Sequence, residues 1–80
     1  MARVTLLYFA SLRDAAGLGA ETLDSTAADL AALYEDARRR HRFALPRERM
    51  RVAVDGAFVD WRLAPYDGAE IAFIPPVSGG

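Results

Sequence analysis

The sequence predicts an α+β domain in which one main helix covers one face of a mixed sheet. Three observations carry this prediction. Apolar, β-branched runs at residues 4–9 and 70–74 bracket the chain, a single stretch at residues 26–41 has helical periodicity, and the turn dipeptides Asp55-Gly56 and Asp67-Gly68 punctuate the second half. One helix can cover only one side of a sheet, so the two most apolar strands are expected in its middle. If they pair, the crossover rule makes them parallel neighbours.

Residues 4–9, Val-Thr-Leu-Leu-Tyr-Phe, are nearly continuously apolar and rich in strand formers, as a centrally placed first strand requires. The stretch 10–20 contains Leu12-Arg13-Asp14-Ala15-Ala16 followed by Gly17 and Gly19, which predicts a short helical turn ended by a glycine cap. Residues 21–24 form a short strand that returns beside the first in a wide hairpin.

The main helix is expected to start at Thr26, where Asp29 three residues later completes a capping box. Ala27, Leu30, Leu33, Tyr34, Ala37 and His41 make its buried stripe. On its outer face, Glu35 with Arg39 and Asp36 with Arg40 are i, i+4 pairs, and Arg38, Arg39, Arg40 and Arg42 compensate the C-terminal dipole or form a docking patch. Pro46 forbids further helix. Residues 50–54 make the next strand, and Asp55-Gly56 closes a tight hairpin onto residues 57–59. Trp61, Leu63 and Tyr66, in an irregular stretch, are expected to fold back over the core. Asp67-Gly68 launches the last strand, residues 70–74.

Composition narrows the chemistry. At 80 residues the chain has room for one core, and its 52% apolar content includes sixteen alanines, leaving twenty-six larger apolar side chains to build it. Cysteine is absent, which excludes disulfides, thiolate catalysis and thiolate metal sites, and a lone histidine cannot build a metal site unaided. Ten basic residues, every one an arginine, oppose eleven carboxylates for a net charge of −1, which leaves no electrostatic footprint for nucleic acid. No run approaches the length of a membrane span and no signal segment is recognisable, so a cytoplasmic location is expected. His41 has no serine and carboxylate at triad spacing, no glycine-rich phosphate loop precedes a helix, and Asp14, Glu21 and Asp60 read as surface charges. An autonomous catalytic site is therefore not expected.

The remaining candidate is the tail, Pro75-Pro76-Val77-Ser78-Gly79-Gly80, which divides the chain into a globular domain at residues 1–74 and a flexible segment at residues 75–80. Two prolines remove two backbone donors directly after a strand, so the chain must leave the sheet and run extended. Six residues can then reach up to about 20 Å. A terminal Gly-Gly presents an unhindered carboxylate that can thread a narrow channel. With a reference pKa of about 3.3 to 3.7 that carboxylate is an anion and a poor electrophile. It needs activation, such as attack on a nucleotide α-phosphate to give an acyl-adenylate on a separate enzyme. A tail with no chemical role is the competing reading.

Two segments carry a resemblance. Leu7-Tyr8-Phe9-Ala10-Ser11-Leu12-Arg13-Asp14-Ala15-Ala16-Gly17 is similar to an apolar strand followed by a Phe-Ala-x-Leu/Val-Arg-Glu pattern. Residues 63–80, ending Ile74-Pro75-Pro76-Val77-Ser78-Gly79-Gly80, match a last strand with its reactive tail. Together they resemble the MoaD-type sulfur carriers of the ubiquitin-like β-grasp superfamily, the small subunits of molybdopterin synthase. Ala69 and Ile74 depart from the acidic and aromatic residues often found at those positions in the family.

The resemblance implies a β-grasp fold and a cycle of partners. A MoeB-like adenylating enzyme uses ATP to activate Gly80, a sulfur donor converts the adenylate to a C-terminal thiocarboxylate, and a MoaE-like large subunit accepts the tail. There the sulfur passes to cyclic pyranopterin monophosphate to build the molybdopterin dithiolene. Gly80 would carry the sulfur, while Gly79, Ser78, Val77, Pro76 and Pro75 would make contacts inside the partner's channel. Strand alternation directs Ile71 and Phe73 toward the helix and Ala72 and Ile74 outward, which makes Ile74 the expected docking residue. No bound cofactor or metal, no nucleic acid and no membrane partner are expected. A carrier for thiamine synthesis, a lysine-conjugated modifier and an inert interaction module remain alternatives; the chain's own lack of lysine reads equally as an argument against a tag that polymerises on itself and as the mark of an arginine-favouring genome.

Overall fold

The structure is a computed structural model that describes residues 1–76. Five strands, β1 (Ala2–Tyr8), β2 (Ala20–Ser25), β3 (Arg51–Val54), β4 (Ala57–Phe58) and β5 (Glu70–Ile74), form one sheet in the order β2-β1-β5-β3-β4. β1 and β5 are the central pair and run parallel, in register from Thr5 opposite Glu70 to Tyr8 opposite Phe73. All other neighbours are antiparallel. The mixed sheet with its apolar strands at the centre is the architecture that the hydrophobic pattern predicts.

Helix α1 (Ala10–Ala16) fills the wide connection from β1 to β2 and ends on Gly17, whose φ of 77° is the left-handed cap that glycine permits. Leu12 is the α1 side chain that enters the core. Helix α2 (Leu30–His41) lies across the inner face of the sheet and buries Leu30, Leu33, Tyr34 and Ala37, as the predicted stripe requires. The hairpin at Asp55-Gly56 has φ of 50° and 89°, the paired positive values of a type I′ turn.

The helix start differs from the capping box expected at Thr26. Asp29 is itself the N-cap, its carboxylate accepting from the Ala32 amide at 2.8 Å, while Ser25 Oγ accepts from the Ala27 amide. The other free amides of the first turn find partners outside the helix or at the cap. Leu30 N–H donates to Leu63 O at 2.9 Å, Ala31 N–H to Trp61 O at 3.1 Å, and Leu33 N–H to Asp29 O. The irregular segment thus acts through its backbone as much as its side chains. Only Trp61 closes on the core as expected, stacked on Phe73 at 6.0 Å, whereas Leu63 and Tyr66 are 42% and 48% exposed. Tyr66 instead donates its hydroxyl to the Asp55 carboxylate, tying this segment to the β3–β4 turn.

At its other end α2 terminates on Arg42, a non-glycine residue at φ 59°, which turns Phe43 back into the core. Phe43 contacts Tyr8 at 5.3 Å and Tyr34 at 6.1 Å between ring centroids, and Tyr34 meets Phe73 edge-on at 5.1 Å. This aromatic cluster joins helix, sheet and the following loop, and the Tyr34 hydroxyl inside it donates to Leu45 O at 2.6 Å. A short 3₁₀ turn at Arg47–Arg49, not anticipated from the sequence, carries the chain into β3.

The charge pairing on α2 also differs. Glu35 meets Arg38 and Asp36 meets Arg39 at i, i+3, rather than the i, i+4 partners expected. Arg40 is drawn away to Glu21 on β2, at 3.2 Å. Glu21 is not a plain surface charge: its half-buried carboxylate also accepts the Tyr8 hydroxyl and lies 2.7 Å from His41 Nε2. His41 is therefore a partly buried member of a network, and among the described residues no buried side-chain polar atom lacks a partner. Partial burial pushes the Glu21 carboxyl up, but the hydrogen bonds from Tyr8 and His41 and the charge of Arg40 outweigh it and hold the group below its ordinary value. Burial, then the Glu21 hydrogen bond, pushes the Tyr8 phenol up.

Two predictions follow from the cap and the network. Asp29→Ala should cost about 1 kcal/mol, or a fall of about 4–8 °C in Tm for a domain of this size, whereas Thr26→Ala should stay within about 0.5 kcal/mol; thermal melts of the two variants decide between the caps. A carboxylate whose folded pKa is depressed contributes stability that is complete above its unfolded pKa and lost as pH falls through the folded one. The stability gap between the native protein and Glu21→Gln should accordingly shrink as pH falls below about 4.3. Denaturant titrations across that window measure it.

Candidate functional site

Because β1 and β5 are parallel neighbours, their C-terminal ends lie side by side, and antiparallel β3 begins next to them with Arg51 opposite Ile74. The chain leaves the sheet at this end, in its middle. Pro75 is half-buried and Pro76 is exposed, and neither can donate to a ladder. Neither extends the ladder, so β5 ends at Ile74. Val77, Ser78, Gly79 and Gly80 lie outside the described residues.

Alternation along β5 places Ile71 and Phe73 fully inside, each with no exposed surface, and leaves Ala72 and Ile74 half-buried on the opposite face. The outer orientation of Ile74 is thus the one expected from the pleat. Registers across the sheet add companions that sequence reading missed. Ala20, Leu7, Ala72, Ala53 and Phe58 are successive partners and form one apolar row across all five strands on that outer face. Phe58 is 57% exposed, and the Arg51 guanidinium sits 4.0 Å from its ring centre. Phe9, 45% exposed, stands just beyond Tyr8 at the same end as Ile74. It precedes Ala10, which holds a left-handed φ of 50° where the chain turns from strand into α1.

The signal for Leu7 was present in the strict in-out period of β1, but a run apolar on both faces hides which side is which. Phe58 lies in a two-residue strand too short to show any period.

Side-chain chemistry is sparse. Among the described residues no group of three histidine, cysteine, aspartate or glutamate side chains is placed to hold a metal. A groove of about 510 Å³ runs between β2 and α2, lined by Leu23, Leu33, Asp36, Arg39 and the Glu21–Arg40 pair among others. Its charged members are already paired, Asp36 with Arg39 and Glu21 with Arg40 inside the groove and Asp24 with Arg3 outside it, so it offers no unpaired acid or base. No helix among the described residues is long and apolar enough to cross a membrane. What the arrangement offers is a rigid platform, an apolar outer face and a segment that issues from the platform's centre.

Comparison with known proteins is consistent with that arrangement. A ThiS family model matches residues 6–80. Among solved structures, a protein from Pyrococcus furiosus assigned as a molybdopterin converting factor subunit 1 is 26% identical, with a TM-score of 0.78 over 96% of this chain and 100% of that one. SAMP1 from Haloferax volcanii is 24% identical with a TM-score of 0.75 over 99% and 100% of the two chains. The small archaeal modifier protein 1 from Methanosarcina acetivorans is 21% identical with a TM-score of 0.79 over 100% and 98%. No curated protein sequence matches the chain. A family match over nearly the whole length, together with a sheet order and central parallel pair carried by a MoaD-type ubiquitin-like β-grasp, establishes that the chain belongs to the ThiS family.

Proposed function

We propose that the protein is a sulfur carrier whose C-terminal Gly80 is adenylated, converted to a thiocarboxylate and used to deliver sulfur to cyclic pyranopterin monophosphate, as the small subunit of a molybdopterin synthase. The observation that carries this reading is the exit of the chain from the centre of the sheet into Pro75-Pro76, on the way to a Gly-Gly end. A rigid root and a side-chain-free tip are what a carrier needs. The root fixes where the tip can reach, and the tip enters a channel that a Cβ would obstruct.

The chemistry is that of an activated carboxylate. The Gly80 carboxylate attacks the α-phosphate of ATP on a MoeB-like enzyme, pyrophosphate leaves, and the mixed anhydride makes the carbonyl electrophilic. A sulfide-equivalent donor adds at that carbonyl and expels AMP, leaving the thiocarboxylate. In a MoaE-like large subunit, Gly79, Ser78, Val77, Pro76 and Pro75 occupy the channel. Ile74, with Leu7 and Phe58 on the same outer face, supplies apolar docking area. The chain has neither thiol nor side-chain amine of its own, so sulfur can ride only on the terminal carbonyl.

The molybdopterin assignment is supported by the Pro-Pro-Val-Ser-Gly-Gly ending and by the likeness to the Pyrococcus furiosus protein. Likeness to two small archaeal modifier proteins supports a second reading, attachment of the Gly80 carbonyl to lysines of target proteins.

Incubation with ATP, the adenylating enzyme and a sulfide source should shift the intact mass by the replacement of one oxygen with sulfur. Adding a residue after Gly80, or removing Gly80, should abolish that shift and leave Tm unchanged. Absence of any sulfur uptake by the native chain would overturn the carrier reading. Loss of molybdoenzyme activity on gene deletion, with thiamine synthesis intact, is the outcome expected for the pathway; cellular lysines carrying residues 63–80 in isopeptide linkage after tryptic digestion, the branch left by cleavage at Arg62, with normal molybdoenzymes would favour the modifier reading instead.

A further inference from the structure

The net side-chain charge of −1 conceals an asymmetry that only the fold creates. The C-terminal ends of β1 and β5 and the start of β3 share one end of the sheet. α1 follows β1 there, the 3₁₀ turn precedes β3 there, and the His41 ring at the end of α2 packs 5.4 Å from Tyr8. Together with α2, its C-cap Arg42 and the start of β2, these elements carry eight of the ten arginines against five carboxylates, a surplus of three positive charges. The opposite end holds Arg3 against Asp24, Asp29, Asp55, Asp67 and Glu70, a surplus of four negative charges. Asp60 and Arg62 cancel in their own ion pair at 3.0 Å.

The positive end is the end from which the tail leaves. Arg13, Arg42, Arg49 and Arg51 are all exposed there and, among the described residues, form no ion pair. Arg51 is also held in place, its guanidinium carbon over the Phe58 ring at 4.0 Å from the centroid and its backbone cross-strand from Ile74. A guanidinium stacked on a ring keeps its edge donors available for a carboxylate. Exposed arginines around an apolar patch are the composition of a docking rim.

We infer that these arginines form a collar that docks on a protein surface rimmed with aspartate and glutamate around the cleft that receives the tail, and that the opposed charge of the two ends turns the molecule tail-first during approach. This inference rests on the carrier reading. An acidic protein surface fits better than nucleic acid, because Ile74, Phe9 and Phe58 interrupt the cations and the chain as a whole is anionic. Charges at a rim act chiefly on the association rate, and steering of this kind is worth about 10- to 1000-fold at low salt.

The test is stopped-flow association of the full-length protein with the adenylating enzyme of the same organism, across ionic strengths of about 0.02 to 0.5 M. The native rate should fall with salt. Arg49→Glu with Arg51→Glu should associate about 10-fold more slowly at low salt, converge on the native rate at high salt and change dissociation less than about 2-fold. Arg49→Gln with Arg51→Gln should fall between, and Arg3→Glu, at the far end, should match the native protein. Salt-independent association, equal loss in Arg3→Glu, or native rates in the double variants would overturn the collar, as would retention of an RNA oligonucleotide, rather than the enzyme, that those arginines control. Sulfur uptake at saturating enzyme, read by intact mass, separates the two claims. A collar defect leaves the final extent unchanged, whereas a native protein that associates normally and never takes up sulfur refutes the carrier reading alone.

Discussion

The parallel pairing of β1 with β5 is the contact on which the rest of the molecule depends. Parallel neighbours end at the same side of a sheet, so the register from Thr5 opposite Glu70 to Tyr8 opposite Phe73 brings the first turn of the chain and the root of its tail together. Both faces of this pair are put to use. Inward, Val4, Leu6, Tyr8, Ile71 and Phe73 are almost wholly buried and give α2 its seat. Outward, Leu7, Ala72 and Ile74 leave an apolar surface beside the exit of the tail. The central strands have partners on both edges up to Phe73, and Ile74, where the chain leaves, is still paired with Arg51 of β3.

A domain this small has little core to spare, and the structure compensates by making single residues serve several elements. Phe73 touches Tyr8, Tyr34 and Trp61, and so links the last strand to the first, to the helix and to the irregular segment. Asp55 combines a turn with acceptance of the Tyr66 hydroxyl and the Glu70 amide, which keeps its carboxyl below the usual range and fastens the start of β5. Glu21 does the same at the other edge, where one carboxylate joins β1, β2 and α2. In each case a polar group is matched by donors from elements distant in sequence, and packing and hydrogen bonding reinforce one another.

The misreadings of the sequence share a cause. Thr26 and Asp29 have the spacing of a capping box, yet Asp29 takes the cap because carbonyls of Trp61 and Leu63 already satisfy the first two amides of α2. Arg40 has Asp36 at the favourable i, i+4 distance, yet turns to Glu21, a half-buried carboxylate that needs more compensation than an exposed one. Leu63 and Tyr66 are large and apolar enough for a core, but the space over Phe73 is taken by Trp61, so they stay outside. Local pattern names the candidates, and competition among distant groups selects between them.

By itself the sequence determined the five strands and two α-helices, though not the 3₁₀ turn, because hydrophobic period, glycine caps and Asp-Gly turns are local properties of a few consecutive residues. It also singled out Ile74 and the tail, since two prolines after an apolar strand end a ladder wherever that strand lies. Only the tertiary structure decided what surrounds that tail. Leu7, Phe58 and Arg51 join Ile74 through inter-strand registers that connect residues far apart in the chain. The near-neutral charge count likewise separates into a basic end and an acidic end only when the strands are laid side by side, because charge adds along the sequence but acts through space.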